Sequence, residues 1–74
     1  MKRPLLVVVR ALPGTGRAIY PTYFAGDRFV TDPRKAYIYA HRADAAIGRN
    51  SAASLILALY GSLREFSFGF EARP

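Results

Sequence analysis

Hydrophobic and polar positions change their spacing several times along the chain. Leu5–Leu12 is β-branched and apolar with Arg10 as its one charge, which predicts a buried, central strand. Pro13-Gly14-Thr15-Gly16 ends it. Arg17–Phe24 predicts a second strand. Pro21 inside it cannot donate a ladder hydrogen bond, so this strand belongs at a sheet edge or carries a bulge. Ala25-Gly26-Asp27 is a tight turn, and Arg28–Thr31 returns as a third strand to close a hairpin. Asp32-Pro33-Arg34-Lys35 predicts a turn of 3₁₀ character, with proline preset for an early turn position. Ala36–Ala40 alternates as a short strand does, with Tyr37 and Tyr39 on one face and Ile38 on the other.

Past position 40 the pattern changes. His41-Arg42-Ala43-Asp44 is a variant capping box, with His41 at the N-cap and Asp44 at N3. Asp44 in the first turn also suits the helix dipole. The helix runs from Arg42 to about Tyr60 and stops at Gly61. Gly48-Arg49-Asn50-Ser51 has poor helix propensity, so the helix bends there or restarts with Ser51 as a second N-cap. Leu55–Tyr60 is apolar nearly all round, which calls for deep cover over the C-terminal half. In Arg64–Glu71, Phe66, Phe68 and Phe70 alternate with polar residues and glycine, a strand whose phenylalanines face the helix. The order β-β-β-(β)-α-β predicts an α+β fold. It is one small domain over 1–74, an antiparallel sheet of three to four strands with one helix on one face.

Composition adds limits. A chain of 74 residues buries only about 60% of its unfolded surface, so its core is marginal. Five tyrosines and five phenylalanines supply the large apolar area that offsets this. With no cysteine there is no disulfide or thiolate metal site. Met1-Lys2-Arg3-Pro4 before Leu5–Val9 is too short and too soon interrupted by Arg10 for a signal peptide, and no run suffices for a membrane span. A soluble, cytoplasmic protein is expected.

The net charge of +6 is uneven. Residues 1–42 carry Lys2, Arg3, Arg10, Arg17, Arg28, Arg34, Lys35 and Arg42 against Asp27 and Asp32; residues 43–74 carry three arginines against three carboxylates. The first half should therefore attract polyanions or an acidic protein patch. Candidate chemistry is sparse. Gly14-Thr15-Gly16 lacks the Gly-Lys-Ser/Thr of a phosphate loop and the third glycine of a dinucleotide fingerprint. His41 is the one histidine, without ligand partners or a nucleophile at recognisable spacing. The five carboxylates fall in turns, a cap and an exposed strand face, not as a converging pair. No catalytic, cofactor-binding or metal-binding residue is assigned, and a non-enzymatic role is expected.

Two binding surfaces compete. In Leu5–Val9 both faces are apolar, and one helix covers one face only. A chain end, a second copy in a homodimer, or a partner must cover Leu6 and Val8, with Arg10 as a basic rim. Alternatively, a basic sheet stacks nucleic-acid bases on Tyr20, Tyr23, Tyr37 and Tyr39, interleaved with Arg17, Arg28 and Arg34; Lys35 is a further candidate for contact with a partner. Arg64–Phe70 echoes the signature strand of RNA-recognition domains, but glycine is missing after Arg64 and no helix follows the first strand.

The segment Gly26–Tyr37, continuing through Arg42–Ala45, resembles a pattern in short phage- and prophage-encoded proteins. These share a hairpin, an Asp-Pro-x-Lys-Ala turn, an aromatic strand and a capped, Ala-rich helix. His41 departs from the usual hydroxyl cap. The resemblance implies direct binding to a host machine, such as a CRISPR effector or RNA polymerase, inside a bacterial cell. Many such inhibitors are acidic mimics of DNA. A chain of charge +6 cannot be one, and would instead occupy an acidic surface of a host protein.

Overall fold

The computed structural model describes residues 4–17 and 21–73. Four strands form one antiparallel sheet: β1 (Leu5–Ala11), β2 (Thr22–Phe24), β3 (Phe29–Val30) and β4 (Phe66–Ala72), in the order β3-β2-β1-β4. A 3₁₀ turn (Pro33–Lys35) and one helix, α1 (Arg42–Tyr60), lie between β3 and β4 in sequence. This is the expected α+β architecture.

β1 is interior, as its β-branched run requires, and it pairs with β4 from Leu5↔Ala72 to Ala11↔Phe66 without a bulge. Because side chains alternate along a strand, β1 feeds two cores. Val7 and Val9 join Phe24, Ala52 and Ile56 under the helix, with Phe66, Phe68 and Phe70 packed against them. Leu6 and Val8 join Tyr23 and Ala36 on the opposite face, with Val30 beside them.

That opposite face corrects an expectation. Leu6 and Val8 are 1% and 3% exposed, so no partner is needed to cover them. The chain covers itself. The Asp32 side chain accepts the Arg34 N–H (3.0 Å) and holds the 3₁₀ turn, which sets Ala36 against Leu6 and Val8. Tyr23 closes the rest by reaching the Glu71 carboxylate of β4, two strands away (3.4 Å). The connection is then pinned by Tyr37 N–H to Phe24 O (3.0 Å) and by reciprocal bonds between Leu5 and Tyr39 (2.8 and 2.9 Å). Residues 36–40 thus contribute an isolated bridge at Tyr39, not a strand.

β2 is also corrected. It starts at Thr22, directly after Pro21, and lies between β3 and β1. Pro21 therefore precedes the ladder and forces neither an edge position nor a bulge. The remainder of the expected strand includes Ala18–Tyr20, outside the described residues.

The helix begins and ends where the sequence places it. Gly61 takes a left-handed φ of 77°, and its N–H closes on the Leu57 carbonyl at 2.8 Å. His41 occupies the N-cap position, but its side chain makes no cap bond; only its carbonyl accepts, from Ala45 N–H at 3.0 Å. The capping box is therefore absent. The helix also runs unbroken through Gly48-Arg49-Asn50-Ser51. Gly48 is buried, and a Cβ there would collide with the Tyr39 phenol (Oη, Cζ and Cε1). The residue that weakens the helix in isolation is the socket that docks it on Tyr39.

The buried stripe of α1 is Ala45, Gly48, Ala52 and Ile56; the first three are small and let helix and sheet approach closely. Leu59 continues this stripe at i+3 from Ile56 yet is 60% exposed. The helix outruns its cover. Leu57, 50% exposed, points outward because a two-layer fold offers nothing on that side, while Tyr60, equally exposed, leans over Phe66 at the end of the sheet. The deep cover expected over Leu55–Tyr60 is confined to Leu55 and Ile56.

Candidate functional site

Ion pairing redistributes the charge. Arg10 meets Glu71 at 3.4 Å, Arg28 meets Asp27 at 3.3 Å, Arg34 meets Asp32 at 3.3 Å, and Arg17 pairs with Glu65. Four carboxylates thus face four arginines of the supposedly basic half. Lys35 is exposed. Among the described residues, Lys35, Arg42, Arg49, Arg64 and Arg73 make no ion pair. Among the described residues, most of the uncompensated charge therefore sits on the helix and at the two ends of β4. These pairs are exposed and individually weak, but they cancel field where the sequence placed it.

Of the tyrosines proposed to stack bases, the three described ones, Tyr23, Tyr37 and Tyr39, do not form a common exposed surface. Tyr23 is 7% exposed, with its hydroxyl on Glu71. Burial first, then the Glu71 carboxylate, pushes its phenol above the ordinary value. Tyr39 is half-buried against Gly48, and burial likewise pushes its phenol up. Tyr37 alone of these three has an open ring, 54% exposed, with its centroid 4.7 Å from that of Tyr39. Tyr20 lies outside the described residues.

Exposed apolar side chains do gather around the end of α1, on more than one side of the helix. Leu57, Leu59 and Tyr60 belong to the last helical turns, and Leu63 (38% exposed) follows Gly61. The Leu63 carbonyl accepts the Phe66 N–H (3.2 Å), and Leu12, at the far end of β1, donates its N–H to Glu65 (2.7 Å). These bonds bring the strand ends to the same end as the helix terminus. Tyr60 and Phe66 stack at 5.0 Å between centroids, and the Arg17 guanidinium lies 4.7 Å from the Tyr60 centroid. Behind them a groove of about 400 Å³ is lined by Val9, Ala11, Ile56, Tyr60, Phe66 and Arg17 among others.

A shallower hollow of about 390 Å³ lies near the other end of α1, lined by Tyr37, Ile38, Tyr39, Ala40, Asp44 and Ile47. Ile47 there is 64% exposed. Neither hollow brings two carboxylates or a histidine and a nucleophile together. Among the described residues no three His, Asp or Glu side chains gather as metal ligands. No helix of the described residues is long and apolar enough to cross a membrane.

Of the residues singled out from sequence, Leu6, Val8 and Tyr23 are interior, Arg10, Arg17, Arg28 and Arg34 are paired, and Lys35 and Tyr37 are open. Leu57, Leu59, Tyr60 and Leu63 were missed. Their signal, apolarity all round the helix, is visible in the sequence, but it reads as a demand for internal cover. Arg42 and Arg49 were missed as a pair because charge summed by position in the chain ignores which arginines find carboxylates. No family model matches the chain, and no curated protein or solved structure is significantly similar to it.

Proposed function

We propose that this chain is a non-catalytic binding protein that acts by direct contact with another protein presenting an acidic surface. The observation that carries the reading is the uncovered end of α1. Leu57, Leu59, Tyr60 and Leu63 are exposed there, with Arg17 stacked on Tyr60 and Arg64 following Leu63. Apolar and aromatic side chains with arginine at the rim are the composition of protein interfaces. Leaving them in water costs a small domain apolar area it can hardly spare. The resemblance to phage-encoded proteins makes blockade of a host machine in the bacterial cytoplasm the expected consequence. The nucleic-acid alternative loses support, because Tyr23 and Tyr39 are packed and the arginines interleaved with them are paired.

The test immobilises the native chain and a Leu57→Ser/Leu59→Ser variant and passes nuclease-treated bacterial lysate over both. A protein retained by the native chain and lost by the variant, and then rebound when purified, is the expected result. Retention of nucleic acid alone, falling steeply with salt, overturns the reading.

A further inference from the structure

The two edges of the sheet are built differently. β3 is two residues long, preceded by the Asp27–Arg28 ion pair and followed by Asp32-Pro33. Short length, charge and proline are devices that blunt an edge against pairing. β4 is seven residues long and carries no proline or lysine.

The register shows which backbone groups β4 turns outward. Leu12 N–H donates to Glu65 O at 2.7 Å, and Arg73 N–H donates to Pro4 O at 2.9 Å. Hydrogen-bonded and non-hydrogen-bonded pairs alternate in an antiparallel ladder. Ser67, Gly69 and Glu71 therefore turn their N–H and C=O groups toward Arg10, Val8 and Leu6 of β1. Phe68, Phe70 and Ala72 turn theirs to the open edge. Among the described residues no strand lies beyond β4 to meet them. The same edge is where free cations collect. Arg42 and Arg49, two helical turns apart, each lie 5.4 Å from the Phe70 ring centroid. Arg64 precedes the strand and Arg73 follows it.

We propose that the open edge of β4 takes up an extended, acidic segment of the partner protein as a fifth strand. This rests on the protein-binding function above and names the partner's chemistry. Charge decides the occupant. A second copy paired edge to edge would set these arginines against their own counterparts, and like charges brought together oppose association. A nucleic-acid strand would answer the arginines but leave the outward N–H and C=O groups of Phe68, Phe70 and Ala72 without a matching ladder. An extended peptide with acidic side chains on the helix side answers both.

The probe is a fluorescein-labelled peptide of alternating glutamate and valine, about eight residues long, enough to span the seven of β4. It is titrated into the full chain, with amide hydrogen exchange read by NMR. The amides of Phe68, Phe70 and Ala72 should gain about tenfold protection or more on binding, as new ladder bonds would give. A peptide N-methylated at alternate residues keeps the charge but loses ladder donors, and should bind about tenfold more weakly. Arg42→Gln with Arg49→Gln should also weaken binding about tenfold. Ala72→Pro removes an outward N–H while breaking no bond to β1, so it should weaken the peptide and leave thermal unfolding nearly unchanged.

Equal binding of the methylated peptide, a dimer of the free chain with these amides already protected, or oligothymidylate outcompeting the peptide would each overturn the proposal. So would no binding. A partner lost on Leu57→Ser/Leu59→Ser while the β4 amides stay unprotected overturns the edge proposal alone and leaves the protein-binding function standing.

Discussion

At the back of the sheet Leu6 and Val8 are 1% and 3% exposed; at the end of the helix Leu57 and Leu59 are 50% and 60% exposed. All four are aliphatic, and each lies beyond the reach of the main helix–sheet contact. What separates them is the chain next to them. Against Leu6 and Val8 lies Ala36 of the Asp32–Tyr39 connection, which is held by Asp32, by Tyr37 to Phe24 and by Tyr39 to Leu5. Beside Leu57 and Leu59 the chain turns at Gly61 and leaves directly for β4. A domain of 74 residues has enough connecting chain to close one open apolar surface. The side chains left open at the end of α1 have no such connection over them.

The largest effect should come from breaking the closed side. Leu6→Ala opens a cavity in the back core and should cost about 2–5 kcal/mol, enough to consume much of a small domain's stability. Leu59→Ala removes the same atoms from water and should change stability by about 0.5 kcal/mol or less. Urea unfolding of the two variants checks the contrast. Similar losses in both would show that the helix end is covered after all.

Next in size is the pin that holds the covering segment. Gly48→Ala should cost about 1–3 kcal/mol, because the methyl displaces the Tyr39 phenol. In a Tyr39→Ala background the same substitution should stabilise by about 1 kcal/mol, the ordinary gain of alanine over glycine in a helix. The reversal of sign, read as unfolding midpoints of the four proteins in a double-mutant cycle, is the decisive feature. A constant sign would separate Gly48 from Tyr39.

Gly48 also marks what can be read from a sequence of this kind. Element positions were legible where spacing or turn chemistry acts locally: Phe66, Phe68 and Phe70, the Asp32-Pro33 turn, Gly61. The fate of apolar surface was not. Whether Leu6 or Leu57 is covered depends on where Ala36 and Tyr23 come to lie, which is long-range information. The same holds for charge. Arg17 meets Glu65 and Arg10 meets Glu71 across most of the chain, so a sum over residues 1–42 misplaces the free cations. His41 has the backbone of an N-cap without its side-chain bond, because position in the helix pattern fixes dihedral angles but not a hydrogen bond.

A smaller effect tests the lid that Tyr23 makes over the back core. Its phenol is raised by burial and by Glu71, so the folded chain holds that proton more tightly than the unfolded chain. Above a pH of about 10 the unfolded state releases the proton first, and stability falls as pH rises toward the folded value. Tyr23→Phe should lose about 1 kcal/mol at neutral pH with the bond to Glu71, and should show a shallower alkaline decline. Tyr39, raised by burial as well, keeps part of the decline in that variant. Unfolding midpoints at pH 8 and 11 measure both. An equal alkaline slope in the two proteins would mean that the Tyr23 ring leaves the sheet on ionisation without cost.

The smallest effect on folding should come from the open side. Leu57→Ser with Leu59→Ser exchanges two exposed aliphatic side chains for polar ones, and exposed positions tolerate such changes within about 0.5 kcal/mol each. Serine is a poorer helix former than leucine, so the sign should be a slight loss. The informative comparison is with self-association. If the exposed end of α1 also glues copies together at high concentration, the native chain will sediment faster as concentration rises and the variant will not. If it is reserved for a partner, the free arginines on the helix and beside β4 should keep copies apart, and both proteins should sediment as monomers at low salt. Raising the salt screens that repulsion within about a Debye length, so association that appears only then would locate the restraint in charge and not in shape.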